Sequence, residues 1–437
     1  MQKTVSILTL GCRVNQYESD SFAEDLMAAG IRIVPFGEKC DLAVVNTCTV
    51  TAESDRKSRQ MIRRAAQNAE KVAVTGCFAQ ISPDAACALP NVVFVRGNGG
   101  KASLSRIIPE LLNGCYEDSV NGVLPPDDRS AVEMTVVTPM RSRSYVKIED
   151  GCNNRCSYCI ISTARGPVRS KNPGTVLEEI RALAENGCRE VILTGIETAA
   201  YGLDFPERRP YGYALADLIA QVAEIDGIQR IGLGSLDPTV LTPYFLDIVS
   251  KIPKLLPHFH LSIQSGCSRI LARMRRKYNR DMALDAIRRL KAAIPDVTLS
   301  ADVIVGFPGE TEEDFADTMA FFEETRFLHL HIFPYSKRAG TEAADMTDQV
   351  PETVKKDRLG RLEALSREIK NQLLDEYVER HRENPVYLLA EKYEDTVSGH
   401  SEHFIETVTE DTTAHHREIV PVLLNRHDGE KVYGKRA

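Results

Sequence analysis

Histidine is absent from the chain until His258. Cys12, Cys48, Cys77, Cys115, Cys152, Cys156 and Cys159 therefore lie in a stretch with no histidine at all. That disfavours a Cys/His zinc site there, and also a cysteine nucleophile with a local histidine base. Long apolar runs are missing too, so no segment reads as a membrane span. The opening "MQKTVSILTLGCRVNQYESD" turns polar after one short apolar stretch. It reads as a first strand and not as a signal peptide. The expected location is the cytoplasm, where thiols stay reduced and serve as ligands or catalysts. Positive charge is not in excess: the net charge is −8 over 437 residues. Taken globally this argues against a nucleic-acid partner, but charge is local and patches can override the total. With 43% hydrophobic residues the composition is that of a globular chain of about two to four domains.

What is present is cysteine, eleven in all. "GCNNRCSYCI", residues 151–160, holds Cys152, Cys156 and Cys159. A disulfide needs two thiols and a closed structural zinc site needs four ligands. Three suggest a metal site with one position left open. Thiolate-only ligation suits an iron–sulfur cluster. A ferredoxin-type carrier would want a fourth cysteine nearby, and the sequence has none there.

The first ~115 residues alternate short β-branched runs with helical patterns, which implies an open parallel α/β sheet. The runs are "TVSILTL", "DLAVVN", "KVAVTG" and "NVVFVRG". Cys12, Cys48 and Cys77 each fall just past the end of such a run. Open α/β sheets place ligand sites at those carboxyl ends, so the three are expected to converge on one edge. Cys40, Cys87, Cys115, Cys188 and Cys267 read as ordinary thiols. Residues 116–137, with Pro-Pro-Asp-Asp, read as a linker. A second alternating series runs from "RSYVKIED" to "LHLHIFPYS" over 138–370. Its six βα units fit a partial TIM-like (β/α)6 barrel with chemistry at the strands' C-terminal ends. The three-cysteine stretch sits on the loop after the first of these strands. A long polar helix, roughly 352–381, precedes four short strand patterns. Residues 371–437 thus form a small all-β barrel domain.

Cys152, Cys156 and Cys159 in the pattern C-x-x-x-C-x-x-C resemble the signature of the radical S-adenosylmethionine superfamily. The stretches "LGCRVNQYES", "VVNTCTVT", "VTGCFAQ" and "FPYSKRAGTEAA" resemble the methylthiotransferase family within it, and "GHSEHFIETV" its terminal β-barrel RNA-binding (TRAM-like) domain. The resemblance covers essentially the whole chain. It implies one [4Fe–4S] cluster on Cys152, Cys156 and Cys159, whose open iron is chelated by S-adenosylmethionine to yield a 5′-deoxyadenosyl radical. It implies a second [4Fe–4S] cluster on Cys12, Cys48 and Cys77, whose open iron holds sulfur. An aromatic C–H offers neither acidity nor a leaving group, so a radical must break it, and sulfur must come from elsewhere. The two clusters are expected to face one substrate pocket.

The family modifies adenosine 37 of tRNA or a ribosomal-protein aspartate. "FGEKCDLAVVNTCTVTAESDRKSRQMIRRA" is most similar to the branch acting on N6-threonylcarbamoyladenosine. The rivals are isopentenyladenosine in tRNA, the ribosomal aspartate, or a non-catalytic RNA-binding iron–sulfur sensor. The intact triplet argues against the sensor, which needs no open iron. Implied partners are a tRNA anticodon stem-loop, a low-potential electron donor of flavodoxin or ferredoxin type, and a sulfur donor; a membrane is not among them, and the chain is expected to be a monomer. Further cofactor contacts are expected at Tyr158, Glu197, Ser235, Gln264 and Gly306, with Gly309 beside the last. Two basic runs are candidate phosphate contacts. One holds Arg56, Lys57, Arg59, Arg63 and Arg64; the other holds Arg269, Arg273, Arg275, Arg276, Lys277 and Arg280.

Overall fold

The computed structural model of the chain describes residues 2–115, 122–207, 209–410 and 413–437. Five parallel strands come first: β1 Thr4–Thr9, β2 Arg32–Val34, β3 Cys40–Thr47, β4 Ala69–Gly76 and β5 Val92–Arg96. They form one sheet in the order β2-β1-β3-β4-β5. Val44, Val45, Val72 and Val74 are fully buried because helices cover both faces of the sheet. The helix Arg13–Ala28 buries Tyr17, Phe22 and Leu26 on one face, and Ala52–Ala65 buries Ile62 and Ala65 on the other. The short strand β2 carries no signal of its own in the sequence.

The central unit contains β6 Ser144–Lys147, β9 Glu190–Thr194, β10 Arg230–Leu233, β11 His258–Gln264, β12 Thr298–Val305 and β13 His329–Pro334. These lie in two three-stranded parallel sheets, β10-β9-β6 and β11-β12-β13. Parallel bridges Ile231↔Leu255 and Leu236↔Leu261 join the two sheets into the arc of a partial barrel. A two-stranded antiparallel pair, β7 Glu149–Asp150 with β8 Arg169–Ser170, closes the base of the cysteine loop. Along β11 the aliphatic and aromatic set Phe259, Leu261 and Ile263 joins the main core, while His258 and His260 line an internal cavity.

The helix Glu352–Arg380 is 29 residues long. At 1.5 Å per residue it spans about 43 Å. It leads to β14 Val386–Tyr393, β15 Val397–His400, β16 Glu406–Thr409, β17 Ile419–His427 and β18 Val432–Arg436. These close into a barrel in the order β14-β15-β16-β18-β17. The pattern "HFIETVTE" becomes a strand only from Glu406, because Ser401, Phe404 and Ile405 make a turn. The α/β architecture with a terminal all-β barrel is the one expected.

The small barrel docks at the strands' amino ends. Arg230 donates to the carbonyl of His400 at 3.3 Å, Thr298 donates to that of His403 at 2.7 Å, and His258 stacks on Phe404. All three are first residues of their strands. Part of the expected linker, residues 116–121, lies outside the described residues. The remainder is packed: Leu124 bridges to Gly99, and Met134 and Val136 join the core beneath the first sheet. Among the described residues no helix is long and apolar enough to cross a membrane.

Candidate active site

Cys12 follows β1, Cys48 follows β3 and Cys77 follows β4. These strands are neighbours in the sheet, so their carboxyl ends bring the three thiols to one edge. Two glycines let the loops close in. Gly11 has φ +99°, and a Cβ there would lie 3.2 Å from Cys48 Sγ. Gly76 has φ +96°, and a Cβ would lie 2.4 Å from the carbonyl of Thr47. Gly-Cys recurs at 151–152, but also at 114–115, 187–188 and 266–267, so the dipeptide alone does not single out these loops. Burial pushes the Cys48 thiol up to about 11, with the other two thiols adding to it.

Behind this edge lies a buried charge network that periodicity does not announce. Glu18 receives Lys101 at 2.5 Å, Arg165 at 2.6 Å and Lys147 at 3.1 Å. Asp150 receives Arg165 at 3.2 Å and Arg169 at 3.7 Å. Burial alone would push Glu18 up, but Arg165, Lys101 and Lys147 together hold its carboxyl well below the usual range. Four cations thus face two carboxylates, and Arg165 acts electrostatically on Cys12 and Cys77. Asn98 joins the two halves of the site: it donates to Cys77 Sγ at 3.5 Å and to the carbonyl of Ala164 at 2.7 Å, and it accepts from Lys101 at 3.0 Å. In the sequence, Lys147, Glu149 and Asp150 are charged residues within the strand pattern "RSYVKIED", which the structure divides between β6 and β7.

Removing Glu18 strands three buried cations. Glu18→Ala is expected to cost about 3–5 kcal/mol in chemical denaturation. Asp247→Ala, which breaks an ion pair 68% and 69% exposed, should cost under about 1 kcal/mol. Equal losses would show that the network does not tie the two units together.

Each sulfur of the 151–160 loop meets a donor. The Asn154 amide lies 3.4 Å from Cys152 Sγ, the Ile161 amide 3.4 Å from Cys159 Sγ, and Arg276 Nη1 3.4 Å from Cys156 Sγ. Burial pushes Cys152 up to about 12 and Cys159 to about 11. Among the described residues no group of three His, Cys, Asp or Glu could hold a single metal ion. Donors aimed at sulfur, and a cationic surplus behind it, fit negatively charged thiolates around a polynuclear cluster.

A cavity of about 1220 Å³ opens between the two units. Cys12 and Cys48 line it from the first sheet; Thr194, Ser235 and Tyr335 line it from strand ends of the barrel. Cys77 is buried behind it. Cys152 borders a separate cleft of about 430 Å³. Glu197 lies beside the cysteine loop, accepting from Asn154 at 3.1 Å and Tyr211 at 2.9 Å. Burial raises its carboxyl to about 7. The Tyr158 ring stands edge-on to Phe307, which in turn meets Tyr335 at the cavity wall. Gln264 is buried at the end of β11 with φ 64°. Gly306 turns beside Lys355, and Gly309 against Arg273 and Asp348. The hydroxyl of Tyr335 and one carboxyl oxygen of Glu149 are buried without a hydrogen-bond partner.

The second basic run is not a free phosphate surface. Arg269 pairs with Asp314, Arg273 with Asp348, Arg275 with Glu342 and Arg280 with Glu324. Arg276 is buried against Asp237 and Cys156. The carboxylates come from distant loops, which a linear charge count cannot see. On the helix Ala52–Ala65, Arg56 pairs with Glu53, while Lys57, Arg63 and Arg64 are exposed. Arg338, in the "FPYSKRAGTEAA" stretch, pairs with Asp55 at 2.7 Å and so joins that helix to the barrel.

A cysteine loop after the first strand of a partial parallel barrel is the arrangement of a radical S-adenosylmethionine fold. Residues 146–322 match the Radical SAM superfamily, and residues 4–97 match the uncharacterized protein family UPF0004. The chain is 38% identical to threonylcarbamoyladenosine tRNA methylthiotransferase MtaB of Bacillus subtilis, over 96% of this chain and 93% of that one. It is 36% identical to the protein of that name from Thermotoga maritima, over 92% and 91%. It is also 36% identical to a tRNA-2-methylthio-N(6)-dimethylallyladenosine synthase of Acidothermus cellulolyticus, over 84% and 74%. Among solved structures, the radical S-adenosylmethionine methyltransferase TsrM of Kitasatospora setae shares the fold, with TM-score 0.56 at 14% identity over 79% of this chain and 74% of that chain. The chain belongs to the radical S-adenosylmethionine methylthiotransferase family. It is an enzyme of that class, with two [4Fe–4S] clusters and S-adenosylmethionine as cofactors.

Proposed function

We propose that this enzyme installs a methylthio group at C2 of N6-threonylcarbamoyladenosine 37 in tRNA. The observation that carries the reading is the single cavity shared by Cys12 and Cys48 with the barrel's Thr194 and Ser235. Relatives from Bacillus subtilis, Aquifex aeolicus, Thermotoga maritima and Rickettsia prowazekii bear the name of that activity.

In this reading Cys12, Cys48 and Cys77 hold one cluster, and Cys152, Cys156 and Cys159 hold the other. Bound there, the clusters and S-adenosylmethionine supply the radical and the sulfur. The chain's own residues do the rest. The Asn154 and Ile161 amides and Arg276 stabilise charge on the loop thiolates. Tyr158, Glu197, Ser235, Gln264 and Gly306 position S-adenosylmethionine. The exposed Lys57, Arg63 and Arg64, on a helix that starts at the cavity rim, meet phosphates of the anticodon stem-loop. The C-terminal barrel docks at the far end of the strands, so it would grip RNA away from the reacting base. Low-potential electrons and sulfur come from separate cytoplasmic donors.

The test is a substrate panel. Enzyme with reductant, sulfide and S-adenosylmethionine should methylthiolate threonylcarbamoylated tRNA. Isopentenylated or unmodified tRNA should react at least about 100-fold more slowly, because a site built for a polar group rejects the analogue lacking it. Comparable product from the isopentenylated tRNA, read by nucleoside mass analysis, would overturn the substrate assignment.

A further inference from the structure

The lumen of this barrel is not packed solid with aliphatic side chains as such lumens ordinarily are: His258, His260, Ser300, His329 and His331 stand among Ile192, Leu233, Leu256 and Leu328 around an open space. A second cavity of about 280 Å³ lies below the first, and the two share Arg13, His260 and His331 in their walls. The pocket at the mouth therefore continues downward between β11, β12 and β13. His260 is already engaged, by Asp302 at 3.1 Å and Ser300 at 2.9 Å. Phe404 of the C-terminal barrel lines its lower end.

Four cations line these two cavities. Lys355 is paired with Glu352 and Lys370 with Glu430, each within 2.6 Å. Lys337 is exposed at the rim. Arg13 differs from all three. It follows Cys12 directly, is half-buried, and donates to the carbonyl of Leu233 at a long 3.4 Å. The rings of Tyr145 and Phe404 flank its guanidinium at 5.8 Å each. Among the described residues no carboxylate lies within ion-pair distance of it, and Glu190, which acts on it from farther off, is already paired with Arg143 and Arg230. A half-buried guanidinium left without an anion is a standing cost unless a ligand supplies one, and its planar fork matches a carboxylate with two parallel hydrogen bonds.

We infer that Arg13 binds the threonyl carboxylate of the substrate nucleoside, whose side chain enters the histidine-lined lumen while its purine stays at the mouth beside Cys12 and Cys48. This rests on the threonylcarbamoyladenosine reading above. It assigns the choice between a charged and an apolar N6 substituent to one side chain. The neighbouring His331 offers ring nitrogens to the threonyl hydroxyl or the carbamoyl oxygen.

The test compares three anticodon stem-loops by equilibrium binding to the anaerobically reconstituted enzyme: one with threonylcarbamoyladenosine, one with its threonyl methyl ester, and one unmodified. The wild type should bind the acid about 10- to 100-fold more tightly than the ester, the range of a charge-assisted hydrogen-bond pair. Arg13→Gln should bind acid and ester alike, with ester affinity close to that of the wild type. Arg13→Lys, which keeps the charge but not the fork, should fall between. Iron content is measured for each protein, since Arg13 adjoins Cys12. If the Gln variant does not retain its iron, the Lys variant decides: a reduced acid preference supports the assignment, and an unchanged one overturns it. A wild-type acid preference persisting in the Gln variant also overturns it while leaving the substrate reading intact. A wild type that does not distinguish the modified from the unmodified stem-loop overturns both.

Discussion

The triple variant Cys152→Ala, Cys156→Ala, Cys159→Ala is expected to hold about four irons where the wild type holds about eight. It should not cleave S-adenosylmethionine at all. The reason is geometric separation. Cys12, Cys48 and Cys77 sit at the carboxyl edge of one sheet, held by backbone that the 151–160 loop does not contribute. The buried core behind that edge, with Phe22, Val44 and Val74, is likewise independent of the loop. The first site should therefore survive loss of the second. Iron and sulfide analysis with electron paramagnetic resonance measures the outcome. A variant that lost all its iron, or none, would refute two separate triplets.

Cys12→Ala should produce the opposite phenotype. Reductive cleavage of S-adenosylmethionine should persist within a few-fold of wild type, because the donors to Cys152, Cys156 and Cys159 come from Asn154, Ile161 and Arg276. Methylthiolated product should fall below detection. Cys12 lines the cavity that Ser235 and Thr194 share, so under the proposed assignment its loss removes a ligand at the face where sulfur meets the substrate. Methionine and 5′-deoxyadenosine are quantified beside the modified nucleoside. Product formed at anything near the wild-type rate would remove Cys12 from the auxiliary site. The two variants together separate radical generation from sulfur delivery, and no single-cluster enzyme can yield that pair of results.

The sequence alone determined the α/β succession, the terminal β barrel and the position of Cys12, Cys48, Cys77 and the 151–160 loop just past strands. These are legible because hydrophobic periodicity and short-range spacing are local properties of a chain. "DLAVVN" and "KVAVTG" read as buried strands, and the structure extends them only to Cys40–Thr47 and Ala69–Gly76. What only the tertiary structure decided is which charges meet. Glu18 and Arg165 are 147 residues apart, and Asn98 and Ala164 are 66 apart, yet both pairs are in hydrogen-bond contact. The arginines after Cys267 look like a phosphate track in one dimension and prove to be consumed by Asp237, Asp314, Glu324, Glu342 and Asp348. Arg13, beside a cysteine, looks unexceptional until the fold leaves it with no ion-pair partner among the described residues. A charge's role depends on its counter-charge, and in a folded chain the counter-charge comes from whichever segment packing brings near.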